Sequence, residues 1–396
     1  MKNDRGLTLR YGLIVSLYWM GFAVLSAFAS LYLLDAGFSN TVIGAIVAIA
    51  GIVASVLQPA LAAWADRADS PGPWRIAGGM AAAIAALCAV ILAARQVSAV
   101  VCALLYTCAL VVLQSAQPFV NAIGMETLNQ GRKLNYGVSR ASGSVAYAAI
   151  AWGLGLLAAA VGAWSVPASA CLCFALMTAA ALLYPLKRES GRRETAGEKS
   201  SGSVIAFLKR YPRYGIVLVG LVLIYTSHTY LNSFTLQIVT PRGGGSAEMG
   251  TTTAIAAVVE LIPMVSFAAL SKRFRCDVML KLSGFFFMFK SLCTQLSGTM
   301  AGVYGAQLFQ ILGWGLMSVV LVYYVNGIMR PEDRVKGQAY ATTTYTLGVA
   351  IAGLTGGRLL DLAGAQALLT ASTIAAGLGA VVLVIGAQRT ALPDEG

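Results

Sequence analysis

The chain has 396 residues, 58% of them hydrophobic and only 11% charged, against about 25% charge in a typical soluble domain. That balance excludes an ordinary soluble enzyme and describes a polytopic membrane protein. No alternating ten-residue segments of the kind that build an outer-membrane barrel are present. The formal net charge of +12 would suit a nucleic-acid partner in a soluble protein; here it is read as the positive-inside bias, with no nucleic acid expected.

The N-terminus resembles a signal peptide, with Lys2, Arg5 and Arg10 ahead of an apolar run and Ala27-Phe28-Ala29 after it. The run continues to Leu34, too long for a signal core, so it is read as an uncleaved first span. Further apolar blocks follow, separated by short polar punctuation. The expected spans are 9–34, 40–64, 75–94, 98–124, 136–162 and 165–186 in a first half. A second half holds 214–238, 249–270, 278–298, 302–328, 337–359 and 364–387. The expectation is an all-α membrane protein of twelve transmembrane helices in two six-helix bundles, residues 1–187 and 214–396. Residues 188–213 form a polar cytoplasmic linker between them, with a short surface helix expected near Ile205–Arg210.

Charge placement gives an orientation. With both termini inside, the inner segments carry Arg67, Arg75, Arg132, Lys133, the linker, Lys272, Arg273, Arg275, Lys281, Arg330, Arg334, Lys336 and Arg389. The outer segments carry only Arg95, Arg242 and Arg358. This places the chain in a cytoplasmic (inner) membrane with cytoplasmic termini. The halves also echo each other: Tyr136-Gly137 opens span five, and Lys336-Gly337 opens span eleven 200 positions later. Parallel repeats of this kind point to a solute site contributed by both halves.

Seven cysteines without zinc-ligand spacing and a single histidine, His228, give no reason to expect a metal or other cofactor. The cysteines are read as small apolar packing residues. No P-loop, zinc motif or G-x-S-x-G elbow is found, so no enzyme activity is expected.

Polar residues inside the spans carry the functional signal. Gln114, Gln117 and Asn121 lie at i, i+3 and i+7 in span four; Tyr225, His228 and Asn232 do so in span seven; Gln307, Gln310 and Trp314 do so in span ten. Each set falls on one helix face, which must avoid lipid. The stripes either line an aqueous cavity or hydrogen-bond between helices and only bind the bundle together. Three charges also lie inside spans: Arg140, Glu260 and Lys290. A charge at that depth costs roughly 2.5–3.5 kcal/mol on insertion scales. Arg140 can fork hydrogen bonds to a solute, and Tyr147, seven residues on, can stack on a ring. Glu260 and Lys290 form either a proton-coupling pair or a buried salt bridge without transport chemistry. His228 is either a second proton carrier or a hydrogen-bonded core histidine. Asp35, Asp66, Glu126 and Asp361 fall near span ends and are read as solvated; Asp66 and Arg67 also suit a conformational latch.

These residues resemble the major facilitator superfamily, and within it the lactose-permease-like proton symporters of oligosaccharides, nucleosides and aromatic acids. Tyr136-Gly-x-x-Arg140 with Tyr147 is similar to that group's span-five sugar-binding arginine and stacking aromatic. Glu260-Leu261 is similar to its span-eight acid, and Lys290 stands where it has a basic residue in span nine. Ala65-Asp66-Arg67, with Arg75 beyond, is a degenerate form of the superfamily's span 2–3 signature, in which Ala62 replaces an expected glycine. The chain departs from the group elsewhere. Asn121 replaces an acid, Gln310-x-x-Gly313 replaces a His-x-x-Glu pair, and span seven offers His228 and Asn232 in place of acids.

The resemblance implies a secondary active transporter of a small polar organic solute, sugar- or nucleoside-like, working by alternating access with proton coupling. An uncoupled facilitator or a drug or metabolite exporter stands as the alternative. The expected solute-binding residues are Gln117, Asn121, Arg140, Tyr147, Asn232, Gln310 and Trp314. Glu260, Lys290 and His228 are expected to couple protons. The expected partners are the solute, protons and the bilayer, with the chain acting as a monomer.

Overall fold

A computed structural model describes residues 5–65, 67, 70–94, 98–186 and 204–390. Asp66 of the expected latch and linker positions 188–203 lie outside the described residues, which contain helices and no strands. Two compact units emerge. The first comprises Met1–Phe38 with Ile49–Ser200, and the second Ser39–Ala48 with Ser201–Gly396.

The first unit is built from α1 (Arg5–Phe22), α2 (Ala29–Asp35), the part of α3 (Asn40–Ala65) from Ile49 onward, α4 (Pro73–Ala94), α5 (Ala99–Asn129), α6 (Tyr136–Val161) and α7 (Ser165–Leu182); the first turns of α3 are grouped with the second unit. A single wide turn, Ala23–Ala27, joins α1 to α2, so the first expected span is interrupted rather than straight. Helix α1 packs on α6 and α7, and α4 on α5 and α7. The second unit contains α8 (Val204–Arg210), α9 (Pro212–Ser233), α10 (Thr235–Val239), α11 (Ser246–Val259), α12 (Leu261–Leu270), α13 (Cys276–Leu296), α14 (Met300–Ala306), α15 (Leu316–Ile328) and α16 (Arg334–Gly386). There α16 packs along α9 and α13. The expected linker helix is present as α8.

Among the described residues, ten helices are long and apolar enough to cross a membrane, against twelve expected spans. The difference has two physical sources. Helix α13 carries Asp277, Lys281 and Lys290 and so falls below the apolarity of a simple span. Helix α16 runs through both expected spans eleven and twelve and is broken at Gly364, whose φ of 74° lies in the left-handed region that glycine tolerates. All seven cysteines are free thiols.

Two end-capping groups depart from the reading of the sequence. Arg242, expected from the sequence on the outer side, donates from Nε to the Ser297 carbonyl (2.7 Å), from Nη2 to that of Thr294 (3.0 Å) and from Nη1 to that of Ile238 (2.5 Å). One guanidinium thereby satisfies carbonyls at the C-terminal end of α13, which the helix cannot bond itself. Asp361 is not merely solvated. Within the second unit its carboxylate accepts from the backbone N–H of Asn40 (3.2 Å) and Thr41 (2.7 Å). It also accepts from Asn40 Nδ2 (2.8 Å) and Thr41 Oγ1 (2.6 Å). A carboxylate at the first turn of α3 meets orphan donors and the positive end of the helix dipole together.

Replacing Asp361 by Ala removes this cap and is expected to cost about 1 kcal/mol, the usual scale for a lost N-cap. Asp361→Asn keeps one acceptor oxygen and loses less. Thermal unfolding of the purified protein reads both; an Ala variant that melts with the wild type shows that the cap adds nothing to stability.

Candidate functional site

Each unit brings part of the expected site together. In the first unit, Arg140 on α6 is half-buried, with its guanidinium carbon 4.5 Å from the centroid of the Trp19 ring on α1. A cation over an indole face is attracted by the ring quadrupole, more so when desolvated. The approach depends on Gly143, where an added Cβ would lie 2.6 Å from Trp19 Cδ1 and 2.9 Å from Val15 Cγ1. Trp19 is held edge-on by Tyr18 at 5.6 Å and flanked by Phe22 at 5.2 Å. Trp19 was not among the residues expected from the sequence. Tyr147 is half-buried two turns along α6 from Arg140.

Helix α5 supplies half-buried Gln117 and Asn121. It also contains Pro118, which has no N–H to give the carbonyl of Gln114, four residues earlier. That carbonyl accepts instead from Gln58 Nε2 on α3 at 3.1 Å. Within the first unit this contact is interhelical bonding, one of the two readings left open for the polar stripes.

The second unit holds the larger cluster. Glu260 stands at the junction of α11 and α12. The break follows from Pro263, which leaves the Val259 carbonyl without its helical donor. The Glu260 N–H reaches the Ala256 carbonyl only at 3.4 Å. Opposite it, the tenth expected span is irregular. Gln307–Gln310 form a tight 3-10 turn and Ile311–Gly315 a wide π turn. In a 3-10 segment residues i and i+3 eclipse, so buried Gln307 and Gln310 stand one above the other. Gly315 lets this segment press onto the broken helix; an added Cβ there would lie 3.0 Å from Glu260 Cα and 2.7 Å from Pro263 Cγ.

Gln310 lies between the two opposite charges. Lys290 Nζ donates to Gln310 Oε1 at 2.7 Å, and Gln310 Nε2 donates to Glu260 Oε1 at 2.7 Å. Lys290 and Gln310 are buried. The amide orientation is fixed by charge: its oxygen meets the cation and its nitrogen the anion. Such charge-assisted bonds are roughly twice as strong as neutral ones. Gln310, expected from the sequence to bind solute, is thus committed in this arrangement to joining Glu260 and Lys290.

An aromatic group closes the cluster. His228 on α9 stacks on Trp314 at 4.4 Å with an interplanar angle of 1°, and Phe287 meets its ring edge-on at 5.5 Å. Asn232, one turn along, places Nδ2 2.8 Å from His228 Nε2. Tyr225 and Tyr345 lie 5.8 and 5.6 Å from Trp314 and 5.4 Å from each other. Trp314 and Tyr345 remain half-buried and present ring surface. Tyr345 and Phe287 were not expected from the sequence; Phe287 lies one helical turn from Lys290, a spacing that would have found it. No group of three or more potential metal ligands occurs among the described residues. Arg67 is exposed, and its backbone N–H bonds the Trp64 carbonyl at 3.2 Å.

Comparison with known proteins agrees on the architecture. A structure of the nucleoside transporter NupG matches with a TM-score of 0.75 at 16% identity, covering 97% of this chain and 98% of that one. A mutant form of NupG matches with a TM-score of 0.82 at 13% identity, covering 96% and 98%. The peptide transporter POT, in a mutant form, matches with a TM-score of 0.71 at 12% identity, covering 97% of each chain. A bacterial homolog of the human lysosomal transporter Spinster, inward-facing and occupied, matches with a TM-score of 0.67 at 14% identity, covering 98% and 96%. At these identities the likeness shows the fold alone. No protein of curated function matches the sequence. The family model described as "MFS_1 like family" matches residues 11–371, and the chain belongs to that family of major facilitator transporters.

Proposed function

We propose that this transporter is a secondary active carrier of a small polar organic solute, sugar- or nucleoside-like, that works by alternating access with proton coupling. The observation that carries this reading is the Glu260–Gln310–Lys290 series, an acid and a base held by one amide within apolar spans. A chain does not keep two costly charges at such depth without a use for them, and pathways and proton relays are the common use. Protonation of Glu260 removes the charge that orients the Gln310 nitrogen and loosens the link to Lys290. That is a local change which solute binding can favour or oppose. The first unit offers Arg140 as a planar donor, with Asn121, Gln117 and Tyr147 nearby in sequence register; the second offers Asn232 and the faces of Trp314 and Tyr345. Flat ring surface beside amides suits a nucleoside or sugar, and the fold-level likeness to a protein described as a nucleoside transporter supports the first. The fold hosts many substrates and does not itself choose among them.

The second reading, an uncoupled facilitator or exporter, is favoured by one feature: Gln310 cannot carry a proton as an acid or imidazole would.

In proteoliposomes with an imposed pH gradient, wild-type protein is expected to accumulate nucleoside or sugar against its gradient. Uptake indifferent to collapse of the proton gradient would establish the uncoupled reading. Glu260→Gln is expected to retain downhill exchange and to lose accumulation; accumulation at the wild-type level removes Glu260 from coupling. Arg140→Lys keeps the charge and loses the planar fork over Trp19. It is expected to weaken solute binding about tenfold, since one hydrogen bond to a charged group is worth about 1.5 kcal/mol. A thermal-shift titration with the transported solute measures it, and an unchanged affinity removes Arg140 from recognition.

A further inference from the structure

A second surface lies away from the polar clusters, where α8 meets the turn that opens α16. Helix α8 has seven residues, VIAFLKR, too few to be stable alone. Two contacts hold it. Phe207 is buried, 5.1 Å from Tyr211, 6.4 Å from Tyr214 and 4.9 Å from Tyr340. Arg210 Nη1 donates to Asp333 Oδ2 at 2.9 Å, and Tyr211 Oη donates to the same oxygen at 2.9 Å. The backbone N–H of Arg330 reaches Tyr211 Oη at 3.3 Å, so α8 and residues 330–340 form one knit layer.

The outward side of that layer is unusual for a surface in water. Val204 is 52% exposed, Ile205 66% and Val335 80%. Lys209, one turn on from Ile205, and Arg334, next to Val335 in the chain, are exposed as well, as are Arg213 and Arg330. The layer's two acids are Glu332 and Asp333, and Asp333 already holds Arg210. Helix α9, an apolar helix of 22 residues, starts at Pro212, directly after α8. The layer therefore sits at the end of a membrane-spanning helix, at the height of the lipid headgroups. A short amphipathic helix with aliphatic residues and cations side by side matches one environment, the boundary of an anionic leaflet. There the aliphatics enter the acyl edge and the cations meet phosphate.

We propose that α8 and residues 330–335 form a docking surface for anionic phospholipid of the adjoining leaflet. Lys209, Arg213, Arg330 and Arg334 hold the headgroup, and Val204, Ile205 and Val335 seat the chains. Because α8 is tied to the start of α16 through Asp333, lipid bound here steadies the ends of α9 and α16 together.

The test uses the full-length protein in zwitterionic micelles, titrated with short-chain phosphatidylglycerol while thermal unfolding is followed. Short-chain phosphatidylcholine and inorganic phosphate serve as comparators. Phosphatidylglycerol is expected to raise Tm saturably by mass action, and the comparators are expected to leave it unchanged. Each cation neutralised near an anionic surface weakens the attraction about fivefold. The triple variant Lys209→Gln, Arg213→Gln, Arg334→Gln is therefore expected to shift half-saturation by about a hundredfold. Should the triple variant not fold, Arg334→Gln alone is expected to shift it about fivefold. Val204→Ser with Ile205→Ser is expected to weaken phosphatidylglycerol binding without creating a response to phosphate. An unchanged half-saturation in the charge variants overturns the proposal. So does an equal response to inorganic phosphate, which marks a free-anion site, or to phosphatidylcholine, which marks a generic lipid effect.

Discussion

A carboxylate and an ammonium within apolar helices must be neutralised where they stand, because hydrocarbon supplies no solvation and each charge costs a few kcal/mol. In this transporter one amide hydrogen-bonds both charges. Gln310 presents its oxygen to Lys290 and its nitrogen to Glu260, both at 2.7 Å. Three backbone irregularities converge on it. Pro263 breaks the helix at Glu260, the 3-10 turn stacks Gln307 on Gln310, and the π turn after it carries Trp314 and Gly315. Departures of this kind are common where function is located, and here each has an identifiable chemical cause.

The two units hold cations within their helices by different chemistry. Lys290 is a compact point charge and is met by a carbonyl oxygen. Arg140 is flat and weakly hydrated, and it lies against an indole face 4.5 Å away. Its Nη1 also lies 3.5 Å from Ser144 Oγ, one turn along α6. Aromatic packing is dense around His228 and Trp314, whose rings stack parallel to within 1°. His228 is therefore enclosed on one face by Trp314 and at its edge by Phe287, with Asn232 bonded to its nitrogen.

Membrane class and the all-helical architecture were legible at once, since a chain with 11% charge cannot cover a soluble surface and helices satisfy their own backbone in lipid. The residues of the polar cluster were also legible one by one, because an ionisable group stands out against apolar sequence. Their connections were not. Helical periodicity places Gln307, Gln310 and Trp314 on one face, but it assumes 3.6 residues per turn, and this segment uses a tighter turn and then a wider one. The Pro263 signal was present three residues after Glu260 and predicts the break. Trp19 and Tyr345 carried no such mark, since an aromatic residue in an apolar span reads as packing.

Composition, charge placement and the spacing of apolar blocks thus determined by themselves that this chain spans a bilayer as helices, and which few residues bear polar chemistry. These are properties of local sequence, fixed by solvation. Tertiary structure alone decided that Gln310 joins Glu260 to Lys290, that Trp19 receives Arg140 and that Asp361 caps the start of α3. Those pairings join residues 50, 121 and 320 positions apart, and only the packing of whole helices brings such distant groups within a hydrogen bond or a ring contact of each other.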